Sequence, residues 1–224
     1  MKKSIALILG LVFALGLGAP DALAKKKARK KKKKKTNVTK IISAKEFTEA
    51  LVKLGKDERV PVASSTLVEK GRGEDYYSVE KMFDNDLETF WAEGKKGAGA
   101  KEWVVFHLPD DSTHVEVVPG AGKEQFENFN RPRRALLDYY LVKFKREKGT
   151  DNLKPKFKWI GRSRLKFKDK PTPIRVRIPV KMPELALSVR TIYVGVIILQ
   201  KAYRGQFADT SIAELRTSAV WGEQ

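Results

Sequence analysis

The stretch "PIRVRIPV", residues 173 to 180, sets apolar Ile174, Val176 and Ile178 against Arg175 and Arg177 with a period of two. Successive side chains of a strand point to opposite faces, so the segment reads as a half-buried strand with a basic outer face. The texture recurs along the chain. "EWVVFHL" (102–108), "THVEVVP" (113–119), "LDYYLVKFKRE" (137–147), "RSRLKFKDK" (162–170) and "TIYVGVIILQKAY" (191–203) are β-branched and aromatic runs separated by Gly, Pro, Asp and Asn. Their spacing predicts seven or eight antiparallel strands from Pro61 onward, hence an all-β sandwich or barrel. No internal repeat recurs at a fixed period.

Two segments depart from strand periodicity. In "SAKEFTEALVKLG", Ser43 and Glu46 have capping-box spacing, Phe47, Ala50, Leu51 and Leu54 share one face, and Gly55 can end the helix. One short amphipathic helix is therefore expected within 41–56, docked by its apolar stripe on the domain that follows at 57–224. In "SVEKMFD", Val79, Met82 and Phe83 fit a single helical turn leading into a loop.

The N-terminus reads as a cleavable signal peptide over 1–24: Lys2 and Lys3, an apolar run from Ile5 to Gly18, then "ALA" at 22–24. The run is shorter than the roughly 20 residues a spanning helix needs. "KKKARKKKKKK" follows directly, and such charge opposes export, while the leader pattern favours it; the expectation is a secreted or periplasmic protein. Of the net charge of +19, ten units lie in residues 25–35, leaving 36–224 at about +8. Residues 25–40 read as a disordered Lys-rich tail that attracts anionic polymers or membrane headgroups. The absence of Cys excludes disulfides, thiol catalysis and a lipid anchor on an N-terminal Cys.

Between the helix and the strands lies "VEKMFDNDLETFWAEG", residues 79–94, with Asp84, Asn85, Asp86, Glu88 and Thr89 offering hard oxygen donors. An EF-hand is excluded, because Thr89 and Lys95 stand where such a loop needs Gly and Glu. The turn reads either as a Ca²⁺ site that borrows ligands from elsewhere or as a metal-free turn held by Asx-type hydrogen bonds. In "TSIAELR", Ile212 and Glu214 share one face of a strand, so Glu214 heads for the interior and needs a cation or several donors.

Three motifs in order carry a resemblance: Trp91, Glu93, Gly94, Gly97, Gly99, Glu102 and Trp103; then Asn130 and Arg131; then Tyr203, Gly205, Asp209, Thr210, Ile212 and Glu214. Over about 60–222 the chain resembles discoidin-like, galactose-binding-like β-sandwich domains, and among them the glycan-binding domain found beside bacterial and fungal NAD-glycohydrolases. The segment 145–180 departs from that pattern in its richness in Lys and Arg. The resemblance implies an antiparallel jelly-roll sandwich, often with a structural Ca²⁺, whose ligands carry over to Asp84, Asp86, Thr89 and Glu214. Trp91 and Trp103 are expected in the core.

With only His107 and His114, and no convincing set of nucleophile, base and orienting group, the chain reads as a non-enzyme. The expected function is a binding module that recognises a glycan or other envelope polymer by loops at one end of the sandwich. Glu93, Asn128, Asn130, Arg131, Arg133 and Tyr203 are the candidate ligand-binding residues, since Arg and Asn hydrogen-bond hydroxyls and anions while Tyr stacks. Two alternatives stay open. A nucleic-acid-binding protein would use the tail and "KPKFKW…RSRLKFKDK", where Phe157, Trp159 and Phe167 interleave with lysines. A structural envelope protein would dock the same loops on a protein partner.

Overall fold

The structure, a computed structural model of the chain, describes residues 42–57, 60–150, 152–182 and 190–218. The signal peptide expected at 1–24 and the Lys-rich tail expected at 25–40 lie outside the described residues. What is described belongs to one compact unit, Val38–Gln224.

Helix α1, Ala44–Lys56, starts where the sequence puts it: the Ser43 hydroxyl accepts from Glu46 N at 3.1 Å, and the Glu46 carboxylate accepts from Ser43 N at 3.0 Å. This capping box satisfies two backbone donors that a helix start leaves open. The helical turn expected before the acidic segment is a 3₁₀ turn, Val79–Met82.

Nine strands make two antiparallel sheets among the described residues: β1 (Val62–Ala63), β2 (Trp91–Ala92), β3 (Trp103–Leu108), β4 (His114–Pro119), β5 (Arg131–Arg146), β6 (Leu153–Lys166), β7 (Ile174–Arg177), β8 (Thr191–Tyr203) and β9 (Ser211–Ser218). The larger sheet runs β1-β3-β8-β5-β6 and the smaller β2-β9-β4-β7. The expected sandwich is therefore present. Strands β1 and β2, at two residues each, are too short to show alternation in sequence. Strands β5 and β6 begin at Arg131 and Leu153, upstream of the starts at Leu137 and Arg162 expected from sequence, because basic residues occupy their exposed positions.

Alternation along β3 and β5 divides the core in two. Val104, Phe106, Leu137 and Tyr139 face the smaller sheet and meet Trp91, Val115, Val117 and Ile212. Trp103, Val105, Tyr140 and Val142 face outward, where α1 covers them with Phe47, Ala50, Leu51 and Leu54. Both expected core tryptophans are buried. Each fully covered Leu or Phe contributes about 1.5–3 kcal/mol relative to exposure, so the helix is integral to the larger sheet.

Candidate functional site

Arg131 at the start of β5 pairs with Tyr203 at the end of β8, and Pro119 at the end of β4 pairs with Ile212 near the start of β9. The antiparallel order thus gathers segments 93–102, 120–130 and 204–210 at one end of the sandwich. Asn130 ties them together. Its backbone N donates to Asp209 O and its O accepts from Ser211 N, both at 3.0 Å; its Oδ1 accepts from Gly205 N at 2.8 Å, and its Nδ2 donates to Ala208 O. Gly205 is required here, since a Cβ would lie 2.2 Å from Phe129 O.

Glu93 closes the third segment onto this framework. It is 0% exposed, and its two carboxylate oxygens accept from Thr210 N at 3.1 Å and Lys95 N at 2.9 Å. Burial pushes its carboxyl above the ordinary range against the pull of those backbone donors. Arg131 is also inward, with Nη2 2.6 Å and Nε 2.8 Å from Asp169 Oδ1, and Nη1 donating to Arg204 O at 3.1 Å.

Of the six candidate ligand residues, Glu93, Asn130 and Arg131 are thus buried and spend their polar groups on the loop framework. A buried charge or amide must be satisfied internally, and these three satisfy the loop backbone in return. Asn128, Arg133 and Tyr203 keep access to solvent. The Arg133 guanidinium lies 5.5 Å from the centre of the Tyr203 ring, whose hydroxyl donates to Phe167 O at 3.1 Å. One surface residue was missed in sequence: Phe207, 52% exposed, its ring 5.2 Å from that of Phe129. The available signal was an aromatic within the Gly- and Asp-flanked "RGQFADT".

The acidic turn is held by its own side chains. Asp84 Oδ1 accepts from Asp86 N at 3.0 Å, Asp86 Oδ1 from Glu88 N at 2.9 Å, and Thr89 Oγ1 donates to Asp84 Oδ2 at 2.7 Å. These are the Asx-type bonds of the metal-free reading. No group of three or more His, Cys, Asp or Glu among the described residues converges on a metal position. Glu214 nonetheless reaches the turn. It is 1% exposed, its Oε2 has no hydrogen-bond partner among the described residues, and Asp84 and the Asn85 backbone act on it. Burial pushes the Glu214 carboxyl up to about 7, opposed by Arg216 and reinforced by Asp84. A buried, unpartnered carboxylate oxygen beside hard oxygen donors fits a hard cation such as Ca²⁺.

On the larger sheet the basic and aromatic texture separates by face. Phe157 packs on Phe47 at 4.9 Å and Phe167 is buried, so neither ring is offered to a base. Trp159 is 41% exposed, with Nε1 donating to Asp138 Oδ1 at 3.3 Å. Arg162 also binds that buried carboxylate, through both Nε and Nη2. His107 on β3 and His114 on β4 lie in different sheets.

Residues 55–215 match the family described as the NAD glycohydrolase translocation F5/8 type C domain. No curated protein matches the chain. Among solved structures, similarity extends to an F5/8 type C domain from Bacteroides fragilis at 15% identity, covering 72% of this chain and 92% of that one with a TM-score of 0.41. The CBM32 domain of AlyQ, solved with 4,5-unsaturated mannuronic acid, is similar at 11% identity, with 73% and 97% coverage and a TM-score of 0.36. An arabinofuranosyltransferase from Mycobacteria is similar at 13% identity over 70% of this chain with a TM-score of 0.40; this chain spans 10% of that protein's length.

Proposed function

Because the chain belongs to the NAD glycohydrolase translocation F5/8 type C domain family, whose domains are discoidin-like, we propose that it is a non-catalytic module binding a glycan or other envelope polymer. Recognition falls to the loops at the Arg131 end of β5. The observation that carries this reading is the exposed aromatic and basic set there, Phe207 with Arg133 beside Tyr203, standing on a framework locked by Asn130. An exposed ring held by a rigid loop stacks on a sugar at little entropic cost, and the guanidinium and Asn128 hydrogen-bond hydroxyls or anions. In this reading residues 1–24 direct export and 25–40 attract anionic surfaces, membrane headgroups included.

The test is a glycan-binding screen on the full chain at low and high salt, repeated with Phe207→Ala and Arg133→Ala. Binding that survives high salt and falls at least tenfold in Phe207→Ala is the expected result. Binding unchanged in both variants would remove the loops from recognition and leave them to a protein partner.

A structural Ca²⁺ is a second reading, favoured by the unpartnered Glu214 Oε2. Asp84, Asp86, Thr89 and Glu214 would hold the ion, which would neutralise Glu214 and fix the turn against β9.

A further inference from the structure

The register of the β5–β6 hairpin assigns its lysines to one face. Lys143 lies directly opposite Lys156, Lys145 opposite Lys154, and Leu141 opposite Lys158. Cross-strand partners share a face, so Lys143, Lys145, Lys154, Lys156 and Lys158 form one exposed array, about 6.6 Å apart along each strand and about 5 Å across. The other face of the same ribbon carries Val142, Phe144 and Phe157 under α1. Among the described residues, one carboxylate pairs with the array, Glu147 with Lys154 at 2.7 Å.

Like charges placed directly opposite destabilise a sheet, so the array needs a reason. Protection of an edge strand against aggregation accounts for lysines on β6, the edge of the larger sheet. It does not account for Lys143, which sits between Lys156 on β6 and Thr191 on β8. Charge counting isolates the same ribbon. Strands β5 and β6 carry twelve basic residues and a single acid, Asp138, a net of +11. Residues 36–224 together carry about +8, so everything in them outside this ribbon is net negative.

We propose that the lysine face of the β5–β6 hairpin is a docking surface for a linear acidic polysaccharide, separate from the loop end. The ligand class rests on the reading of the chain as a glycan-binding module; the location does not. A ribbon whose backbone is held by the helix behind it keeps five lysines in register, and a chain of carboxylates or sulfates running along it meets them without reorganising the backbone, so only the lysine side chains must be ordered. Two features favour a polysaccharide over nucleic acid. All five residues are Lys, a hydrated point charge, with none of the planar guanidinium forks that read phosphates bidentately. The aromatics a single strand would stack on are absent from this face: Phe157 lies opposite Val142 and Trp159 opposite Tyr140, on the helix side.

The experiment measures polygalacturonate binding to the full chain across a salt series, with oligothymidylate as a second probe. One variant combines Lys143→Gln, Lys145→Gln, Lys156→Gln and Lys158→Gln. A charge-matched control combines Lys30→Gln, Lys31→Gln, Lys32→Gln and Lys33→Gln, and Phe207→Ala reports on the loops. The hairpin variant is expected to lose at least tenfold in polygalacturonate affinity and to show a shallower salt dependence, with a melting temperature equal to or above the parent's. The tail control is expected to lose less, and Phe207→Ala to lose less than twofold on galacturonate oligomers shorter than about 40 Å, too short to bridge the hairpin and the loops, so failure of the loop reading leaves this result standing. A loss under twofold in the hairpin variant, or an equal loss in the tail control, overturns the proposal. Oligothymidylate binding the hairpin more tightly than polygalacturonate overturns it in favour of nucleic acid.

Discussion

Glu214 sits 1% exposed on β9 with its carboxyl pushed up to about 7 by burial, so its protonation is linked to folding. Unfolded, a glutamate titrates near 4.3, so the folded state holds the proton more firmly. The contribution is present in full below that value and is lost as pH rises through about 7, an effect on the order of 3 kcal/mol. Burial moves Glu93 and Asp209 in the same direction, so they share the slope. In chelator the melting temperature should therefore fall between pH 5 and 8, and Glu214→Gln should flatten part of that fall. If the turn holds Ca²⁺, the ion recruits the ionised carboxylate, so added Ca²⁺ should raise the melting temperature more at pH 8 than at pH 6, and not at all in Glu214→Gln. A parent protein that ignores Ca²⁺ at both pH values would leave the turn to its Asx bonds. At this scale the sequence was legible in residue type more than in role. Asn130 and Glu93 were picked out, but their partners, Gly205 and Thr210, are distant in the chain, and only the fold shows those side chains turned inward.

Among the elements, α1 was the most legible, because capping and a 3.6-residue stripe are local properties. The stripe's destination was not, and it proves to be the outer face of the larger sheet. Phe47 touches both Tyr140 and Phe157, with ring centres 5.0 and 4.9 Å away. Phe47→Ala should cost about 3–5 kcal/mol in urea unfolding, and Ser43→Ala about 1 kcal/mol through the lost cap. A helix that merely rested on the domain would give a Phe47→Ala effect below 1 kcal/mol. Strands β5 and β6 were half legible for the opposite reason. "VKFKR" and "KPKFK" both alternate, but which lysines oppose which is a matter of register, and register depends on the pairing of two strands.

For the whole molecule, the loop end and the lysine face lie toward opposite ends of β5. Arg133 and Lys145 are twelve residues apart on that strand, about 40 Å. One strand thus connects the loop surface proposed for a sugar unit with the lysine face proposed for a charged chain. If a polymer engages both, the second contact is intramolecular and gains from effective concentration, but only when the ligand is long enough to span them. Oligogalacturonides of increasing length should therefore show a step in affinity once they exceed about 40 Å. Below the step, Phe207→Ala and the four-lysine variant should act independently, each on its own class of ligand. Above it, either change alone should remove most of the gain, because avidity fails when one of two contacts is lost. A smooth rise with length, insensitive to Phe207→Ala, would mean that the two ends serve different partners and that the sandwich holds them apart.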